Sequence, residues 1–194
     1  MGVRVRVSKF GKARWFVGFI VWSFALAITF HAAMAWEYKA GLGSARLPKR
    51  EMAIRKPLLI VVLHSQCPCS LATIEDLINL PVTDRSQLKI RLVFTGPDPI
   101  DSRANEESET LTGVDREYLT ESQVLSRYGA RTSGQAYLYS RSGDLIFSGG
   151  LTDSRGVRGD SDGLVAIRET VAGRKCIAEA PVYGCALQTP KRHL

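Results

Sequence analysis

The most restrictive feature of this 194-residue chain is an apolar segment near its N-terminus. Residues 15–36, WFVGFIVWSFALAITFHAAMAW, contain no Asp, Glu, Lys or Arg. A helix of this length, at about 1.5 Å per residue, is long enough to cross a hydrocarbon core of roughly 30 Å. All three tryptophans lie here, and Trp15 and Trp36 mark the two ends, where indole rings favour the membrane interface. The segment therefore predicts a transmembrane helix.

The basic residues of the chain are concentrated on both sides of this segment. Residues 1–14 carry five basic and no acidic side chains, and residues 37–56 carry six basic and two acidic ones. Residues 57–194 hold 15 basic and 17 acidic side chains, so the net charge of +7 gives no support for nucleic-acid binding by that region. The wholly basic tail favours a cytoplasmic N-terminus and an exported C-terminal domain.

A cleaved signal peptide is the alternative interpretation of the N-terminus. The basic start, the apolar core and Ala33-Met34-Ala35 match its three parts. The apolar stretch is longer than the usual signal core of roughly 7–15 residues, which favours an uncleaved anchor. We expect a basic tail at 1–14, a transmembrane helix at 15–36, a linker at 37–56 and one folded domain at 57–194.

Strand and helix patterns follow one another from residue 57 onward. An unbroken apolar run after Pro57 is typical of a strand buried on both faces. The predicted elements are a strand at 58–63, a helix at 70–80, a strand at 88–94, a long loop at 96–115, a helix from the N-cap Thr120 to Gly129, a hairpin of strands 136–139 and 145–148, and a helix at 162–173 with Asp162 as N-cap. This order predicts an α/β fold with a mixed sheet and helices on both faces.

The first two of the four cysteines, in Cys67-Pro68-Cys69, lie where the first strand ends and the next helix begins. The positive end of a helix stabilises a thiolate, which is the nucleophile in disulfide exchange. Two cysteines separated by one residue close a small, constrained ring, and strain makes such a disulfide labile. An even number of cysteines in an exported domain also favours disulfide chemistry.

The element order, with a cysteine pair at the start of the first helix, resembles the thioredoxin-like superfamily over residues 57–173. The motif strings HSQCPCS at 64–70, YGARTSGQ at 128–135, SGGLT at 148–152 and PVYGC at 181–185 are similar to those of small membrane-anchored bacterial proteins labelled RedB. The resemblance implies a bacterial inner-membrane protein with a domain facing the periplasm or outside. It implies that Cys67 attacks a substrate disulfide and that Cys69 resolves the mixed disulfide.

The resemblance also implies a substrate-binding surface at Pro68, Ser133 and Gly134. Gly134 stands where typical thioredoxins have a cis-proline, and Gln66 stands where they have tryptophan before the cysteine pair. Glycine lets a partner backbone approach closely. The expected partners are exported thiol or disulfide proteins and a membrane redox partner, with no cofactor.

The sequence leaves open whether the first cysteine pair binds copper and which partner Cys185 has. Cys67, Cys69 and His64 are soft or borderline donors that could hold Cu(I), which predicts a copper carrier of thioredoxin-like fold. Cys176 and Cys185 enclose eight residues near the C-terminus, which predicts a structural disulfide. The alternative is that Cys185 folds back towards Cys67 as an additional resolving or ligating thiol.

Overall fold

The computed structural model describes residues 9–44 and 55–187, and the chain divides into two units, at 1–38 and 39–194. The first unit contains one long helix, α1 (Lys9–Glu37). Its part Trp15–Glu37 is long and apolar enough to cross a membrane, a test of length and composition that a signal sequence also meets. Most of the predicted basic tail lies outside the described residues.

The second unit is built on a five-stranded mixed sheet in the order β3-β2-β1-β4-β5. The strands are β1 (Leu58–His64), β2 (Lys89–Thr95), β3 (Val114–Tyr118), β4 (Gln135–Tyr139) and β5 (Leu145–Gly150). The central strand β1 is parallel to β2 and antiparallel to β4, with Leu59 opposite Ile90 on one side and Leu138 on the other. The edge strand β3 is parallel to β2, and β5 closes the hairpin with β4.

Helices cover both faces of the sheet. They are α2 (Pro68–Asn79), α3 (Val82–Ser86), α4 (Arg103–Ser108), α5 (Glu121–Tyr128) and α6 (Asp162–Val171). Alternate residues of β1 enter two separate clusters: Leu59 packs with residues of α2 and α6, and Ile60 packs with residues of α5. The strand is therefore buried on both faces, as its unbroken apolar run predicts, and the predicted fold class is confirmed.

Two predictions about local structure are wrong. The expected long loop at 96–115 contains α4 and the first residues of β3, because a half-exposed edge strand needs no apolar alternation. The N-cap of α6 is Ser161 and not Asp162, since the Ser161 hydroxyl accepts the hydrogen bond from the amide of Leu164. The predicted N-cap of α5, Thr120, is confirmed, and it forms a capping box with Gln123.

The first residues of the predicted linker pack against the folded domain. The amide of Gly41 donates to the carbonyl of Val182 at 2.7 Å. The carbonyl of Leu42 accepts a hydrogen bond from the Thr132 hydroxyl at 2.7 Å. Residues 39–44 therefore belong to the structure of the second unit, and the rest of the predicted linker, at 45–54, lies outside the described residues.

Candidate functional site

Cys67 and Cys69 lie at the start of α2, directly beyond the carboxyl end of β1. Cys67 is the N-cap residue, with φ −90° and ψ 121°, and Pro68 occupies the first turn, where its missing N–H costs no hydrogen bond. A tight turn brings the amide of Cys67 to the carbonyl of His64 at 3.1 Å. The predicted placement at a strand-to-helix edge is confirmed, although the helix begins two residues before Ser70.

Two buried serines connect this turn to the loop before β4. The Ser70 hydroxyl donates to the carbonyl of His64 at 2.8 Å, and the hydroxyl oxygen of Ser133 accepts from the amide of His64 at 2.9 Å. The two serine oxygens are 2.9 Å apart. Because Ser70 has already used its proton, Ser133 donates to Ser70. The loop that contains Ser133 and Gly134 is thereby held beside the cysteine pair.

The C-terminal segment brings a third cysteine to the same point. The sulfur of Cys185 lies 2.8 Å from the sulfur of Cys67, and the amide of Cys185 donates to that sulfur at 3.4 Å. The carbonyl of Cys185 accepts from the amide of Ser133 at 2.9 Å. The site therefore contains three cysteines, of which sequence reasoning placed two there and left the third undecided.

The segment around Cys185 is extended and pairs with the loop before β4. Thr132 and Ala186 form an antiparallel bridge, and the amide of Leu187 donates to the carbonyl of Arg131 at 2.9 Å. At Gly184 the two backbones are so close that a Cβ atom would lie 2.0 Å from the carbonyl oxygen of Ser133. Only glycine fits this approach, which fixes the position of the neighbouring cysteine.

Hydrogen bonds concentrate one negative charge on Cys67. The hydrogen bond from the thiol of Cys69 has the largest effect on the pKa of Cys67, and burial opposes it. Hydrogen bonds from the thiol and amide of Cys185 and from the amide of Cys69 add to the decrease, and together they lower the pKa of Cys67 to about 4. Since Cys67 is the thiolate, the proton shared between the sulfurs of Cys67 and Cys185 belongs to Cys185. The site is thus one thiolate supported by two thiols.

The other two thiols keep their protons while Cys67 is ionised. The hydrogen bond to Cys67, together with burial and the neighbouring charges, raises the pKa of Cys69 well above its usual range. Burial first, and then the hydrogen bond to Cys67 and the charge of Cys67, raise the pKa of Cys185 to about 12. The Arg155 guanidinium acts in the opposite direction on Cys185, and it also donates a hydrogen bond to the carbonyl of Gly184.

The loop between β5 and α6 covers the Cys69 side of α2. The amide of Gly156 donates to the Cys69 sulfur, which partly offsets the increase in the pKa of Cys69. The amide of Gly159 donates to Oδ1 of the buried Asp76 at 2.9 Å, and Arg158 pairs with Glu75 at 2.6 Å. These contacts with α2 place the loop beside the cysteine site.

Cys176 and Cys185 are not joined in this structure, and the structural disulfide expected between them stays a prediction. All four cysteines lie within the described residues, and all four are free thiols. The Cys176 sulfur contacts the carbonyl of Ile146 at 3.8 Å and the hydroxyl of Thr170 at 3.6 Å, whereas Cys185 contacts Cys67. The bridge of Thr132 with Ala186 holds Cys185 beside Cys67 at the start of α2, a long-range effect that the short spacing does not reveal.

The side chain of His64, the third residue of the copper alternative, has other neighbours. Its Nδ1 accepts from the amide of Gln66 at 3.2 Å, and its Nε2 lies 4.0 Å from a carboxylate oxygen of Glu121. Within residues 9–44 and 55–187, no group of three or more His, Cys, Asp or Glu side chains has the arrangement of a metal site. Copper binding through Cys67, Cys69 and His64 stays a prediction.

Comparison with solved structures places the domain among known folds. An uncharacterized conserved protein from Geobacillus kaustophilus matches at 16% identity with a TM-score of 0.55, covering 79% of this chain and 94% of that one. A hypothetical protein from Sinorhizobium meliloti 1021 matches at 18% identity and 0.54, covering 80% and 98%. The thioredoxin domain of a thiol-disulfide oxidoreductase from Bacteroides vulgatus matches at 16% and 0.44, covering 69% and 98%.

The sheet order and the connections decide the fold. A βαβ unit opens with the cysteine pair at its helix, and an antiparallel hairpin and a closing helix complete the sheet. By this sheet order and these connections, the domain has a thioredoxin-like fold. No family model matches the chain, and no curated protein matches it. The RedB-type resemblance therefore stays a prediction.

Pro68 directly follows Cys67 in this thioredoxin-like domain, and the loop of Ser133 and Gly134 is joined to the cysteine site through Ser70 and Cys185. All described peptide bonds are trans, and Gly134 has a φ of +86°, a value that favours glycine. The amide of Gly134 donates to the carbonyl of Val62 at 2.7 Å, so it is fixed to the centre of the sheet. The backbone amide of Ser133, which faces the cysteine site, is occupied by the carbonyl of Cys185.

Proposed function

We propose that this chain is a membrane-anchored thiol–disulfide oxidoreductase whose attacking residue is Cys67. The observation that carries the proposal is the placement of the Cys67 sulfur at the N-cap of α2, in hydrogen-bond contact with Cys69 and Cys185. A thiolate in such a position is stabilised at neutral pH, and thiolates are the nucleophiles of disulfide exchange. The thioredoxin-like fold provides this position at the end of its central strand.

The reaction begins when the Cys67 thiolate attacks one sulfur of a substrate disulfide. The substrate S–S bond breaks, a bond between Cys67 and the substrate forms, and the other substrate sulfur leaves as a thiolate that takes up a proton. A second cysteine of the protein then attacks Cys67 and releases the substrate as a dithiol. Sequence resemblance gives this second role to Cys69, whose thiol is in contact with Cys67.

The proposed substrates are cysteine-containing proteins in the compartment that the domain faces. The apolar helix α1 has the length and composition to anchor the chain in a membrane. The basic residues before it favour a cytoplasmic N-terminus, and we propose the bacterial inner membrane with the domain in the periplasm or outside. Pro68, Ser133 and Gly134 form the proposed contact surface for the substrate backbone, and a membrane redox partner exchanges electrons with the cysteines.

The decisive experiment isolates the first step. The full-length variant Cys69→Ser/Cys185→Ser retains Cys67 and removes both thiols that contact it. We expect glutathione disulfide to form a stable adduct on Cys67 in this variant at neutral pH, detected by mass spectrometry of the digested protein. Cys176 is the internal control for a thiol outside the site. An adduct on Cys176 with none on Cys67 would contradict the proposed function.

A further inference from the structure

Cys185 is positioned to close a disulfide with Cys67. The sulfurs of Cys67 and Cys185 are 2.8 Å apart, so a movement of under about 1 Å reaches the S–S bond length of roughly 2.05 Å. Cys69, by contrast, lies in the first turn of α2 with only Pro68 between the two cysteines. A Cys67–Cys69 disulfide must close a small ring at the rigid start of a helix.

The backbone around Cys185 is held so that its sulfur faces Cys67. The Cys185 amide donates to the Cys67 sulfur, and the Cys185 carbonyl accepts from the Ser133 amide. The Gly184 backbone is fixed from two sides, by the close approach to Ser133 and by the hydrogen bond from Arg155. These contacts fix the direction of the Cys185 side chain, which a loose C-terminal segment would leave undefined.

We propose that Cys185 is the second reacting cysteine and that turnover passes through a Cys67–Cys185 disulfide. This inference rests on the proposed function, because it assigns the resolving step of the same reaction. The Cys185 thiolate attacks the Cys67 sulfur of the mixed disulfide, the bond from Cys67 to the substrate breaks, and the substrate sulfur leaves and takes up the proton that Cys185 lost. The substrate disulfide gains two electrons, and Cys67 with Cys185 loses two. A dithiol reductant returns the protein to the reduced state by the reverse exchange.

The charges around Cys185 favour its ionisation only after Cys67 has reacted. Burial raises the pKa of Cys185, and while Cys67 is a thiolate its hydrogen bond and its charge raise this pKa further. Once Cys67 is bonded to a substrate, that charge is gone, whereas the Arg155 guanidinium still favours the thiolate of Cys185. Cys185 is therefore protonated before the substrate binds and becomes a better nucleophile afterwards.

The position of Cys185 also has a consequence for access to the site. Cys67 is only 2% exposed, and the segment of Cys185 lies across it. A protein substrate reaches Cys67 only when the segment 184–187 moves away. The return of this segment then brings Cys185 back to Cys67, so that substrate release and recovery of the covered state occur together.

The test maps the disulfide of the full-length protein after oxidation by glutathione disulfide. Cleavage after Glu179 separates Cys176 from Cys185, and the Cys69→Ser variant removes the ambiguity between Cys67 and Cys69, which lie on the same peptide. We expect a Cys67–Cys185 linkage in both the wild type and Cys69→Ser. We expect release of glutathione from Cys67 to slow by about tenfold or more in Cys185→Ser and to be unchanged in the control Cys176→Ser.

Each contrary result has a distinct meaning. Rapid resolution in Cys185→Ser, with a Cys67–Cys69 disulfide as the product, would overturn this inference and leave the proposed function intact. A Cys176–Cys185 linkage in the oxidised wild type would overturn it as well. Absence of a Cys67 adduct in the Cys69→Ser/Cys185→Ser variant would instead contradict the proposed function. The mapping of wild type and Cys69→Ser does not depend on how a Cys185 substitution affects folding.

Discussion

At the scale of single residues, the chemistry of the site depends on which of three neighbouring thiols carries the negative charge. The N-cap position favours the negative charge on Cys67, because the amide of Cys69 at the start of α2 and the amide of Cys185 both donate to its sulfur. Cys69 and Cys185 act as donors and keep their protons. The sequence identifies the Cys67-Pro68-Cys69 motif, but the number of donors around Cys67 is a property of the folded chain.

Removing Cys69, the hydrogen-bond donor with the largest effect on Cys67, should change the pKa of Cys67 directly. We expect Cys69→Ala to raise the pKa of Cys67 from about 4, because the hydrogen bond from Cys69 is the main cause of the decrease. The measurement is the ultraviolet absorbance of the thiolate as a function of pH in the reduced protein. The matched control is Cys176→Ala, since Cys176 contacts Ile146 and Thr170 instead of Cys67. An unchanged acidic transition in Cys69→Ala would disprove the assigned cause.

A second substitution tests the close approach that positions Cys185. In Gly184→Ala the new methyl group would lie 2.0 Å from the Ser133 carbonyl oxygen, so the segment 184–187 must shift. We expect a loss of roughly 1–3 kcal/mol in the free energy of unfolding, as for other overpacked sites. We also expect slower formation of the Cys67–Cys185 disulfide, measured with glutathione disulfide as oxidant.

Gly43→Ala is the control for this substitution, because a Cβ at Gly43 would have no neighbour within 4 Å. It should leave both the unfolding free energy and the disulfide rate near the wild-type values. If Gly184→Ala behaved in the same way as Gly43→Ala, the close packing of the C-terminal segment on the loop before β4 would be refuted.

At the scale of elements, α2 connects the cysteine site to a buried carboxylate. Asp76 lies two turns along the helix from Cys69, and it is 4% exposed. Its Oδ1 accepts from the amide of Gly159, and burial raises its pKa above the ordinary value. The ionised form is thus disfavoured in the folded protein, so Asp76 makes the fold less stable once it is ionised.

The prediction for Asp76 concerns the pH dependence of stability. Because the pKa of Asp76 is raised in the folded protein, protonated Asp76 contributes fully to the free energy of unfolding below the ordinary pKa of Asp. That contribution is lost as the pH rises through the raised pKa. Asp76→Asn cannot ionise, so the variant should gain stability relative to the wild type between acidic and neutral pH. Unfolding by urea at several pH values measures this difference. The exposed substitution Asp101→Asn serves as control, and equal pH profiles for Asp76→Asn and wild type would contradict the expectation.

Elements with strong local signals are predictable from this sequence, and those fixed by distant contacts are not. The apolar run of β1, the capping box of α5 and the spacing of α6 each depend on residues close in the chain. β3 is a half-exposed edge strand, and its five residues, VDREY, have no apolar alternation. The path of the C-terminal segment depends on backbone pairing with Thr132, for which neighbouring residues provide no signal. The site was therefore predicted at α2, while the contact of Cys185 required the structure.

At the scale of the whole molecule, the basic residues near the N-terminus and the cysteines lie in separate parts of the sequence. The basic residues flank the apolar helix, and the region from residue 57 onward has slightly more acidic than basic side chains. Membrane orientation and thiol chemistry should therefore respond to different substitutions. A change in the basic tail should alter where the domain is found and leave the reactivity of Cys67 in the purified protein unchanged.

Replacing the five basic residues of 1–14 with glutamine should reduce or reverse the export of the domain, because positively charged residues are retained on the cytoplasmic side. The measurement is digestion of the domain by protease added to spheroplasts, with a cytoplasmic protein as marker of intact cells. The matched control replaces the six basic residues of 37–56 with glutamine. These residues lie on the other side of the helix, and their charge favours the opposite orientation. That control should keep or increase export. If the wild-type domain were protected from protease and digested only after lysis, the domain would lie in the cytoplasm. The reducing environment there disfavours the proposed disulfide exchange with exported proteins.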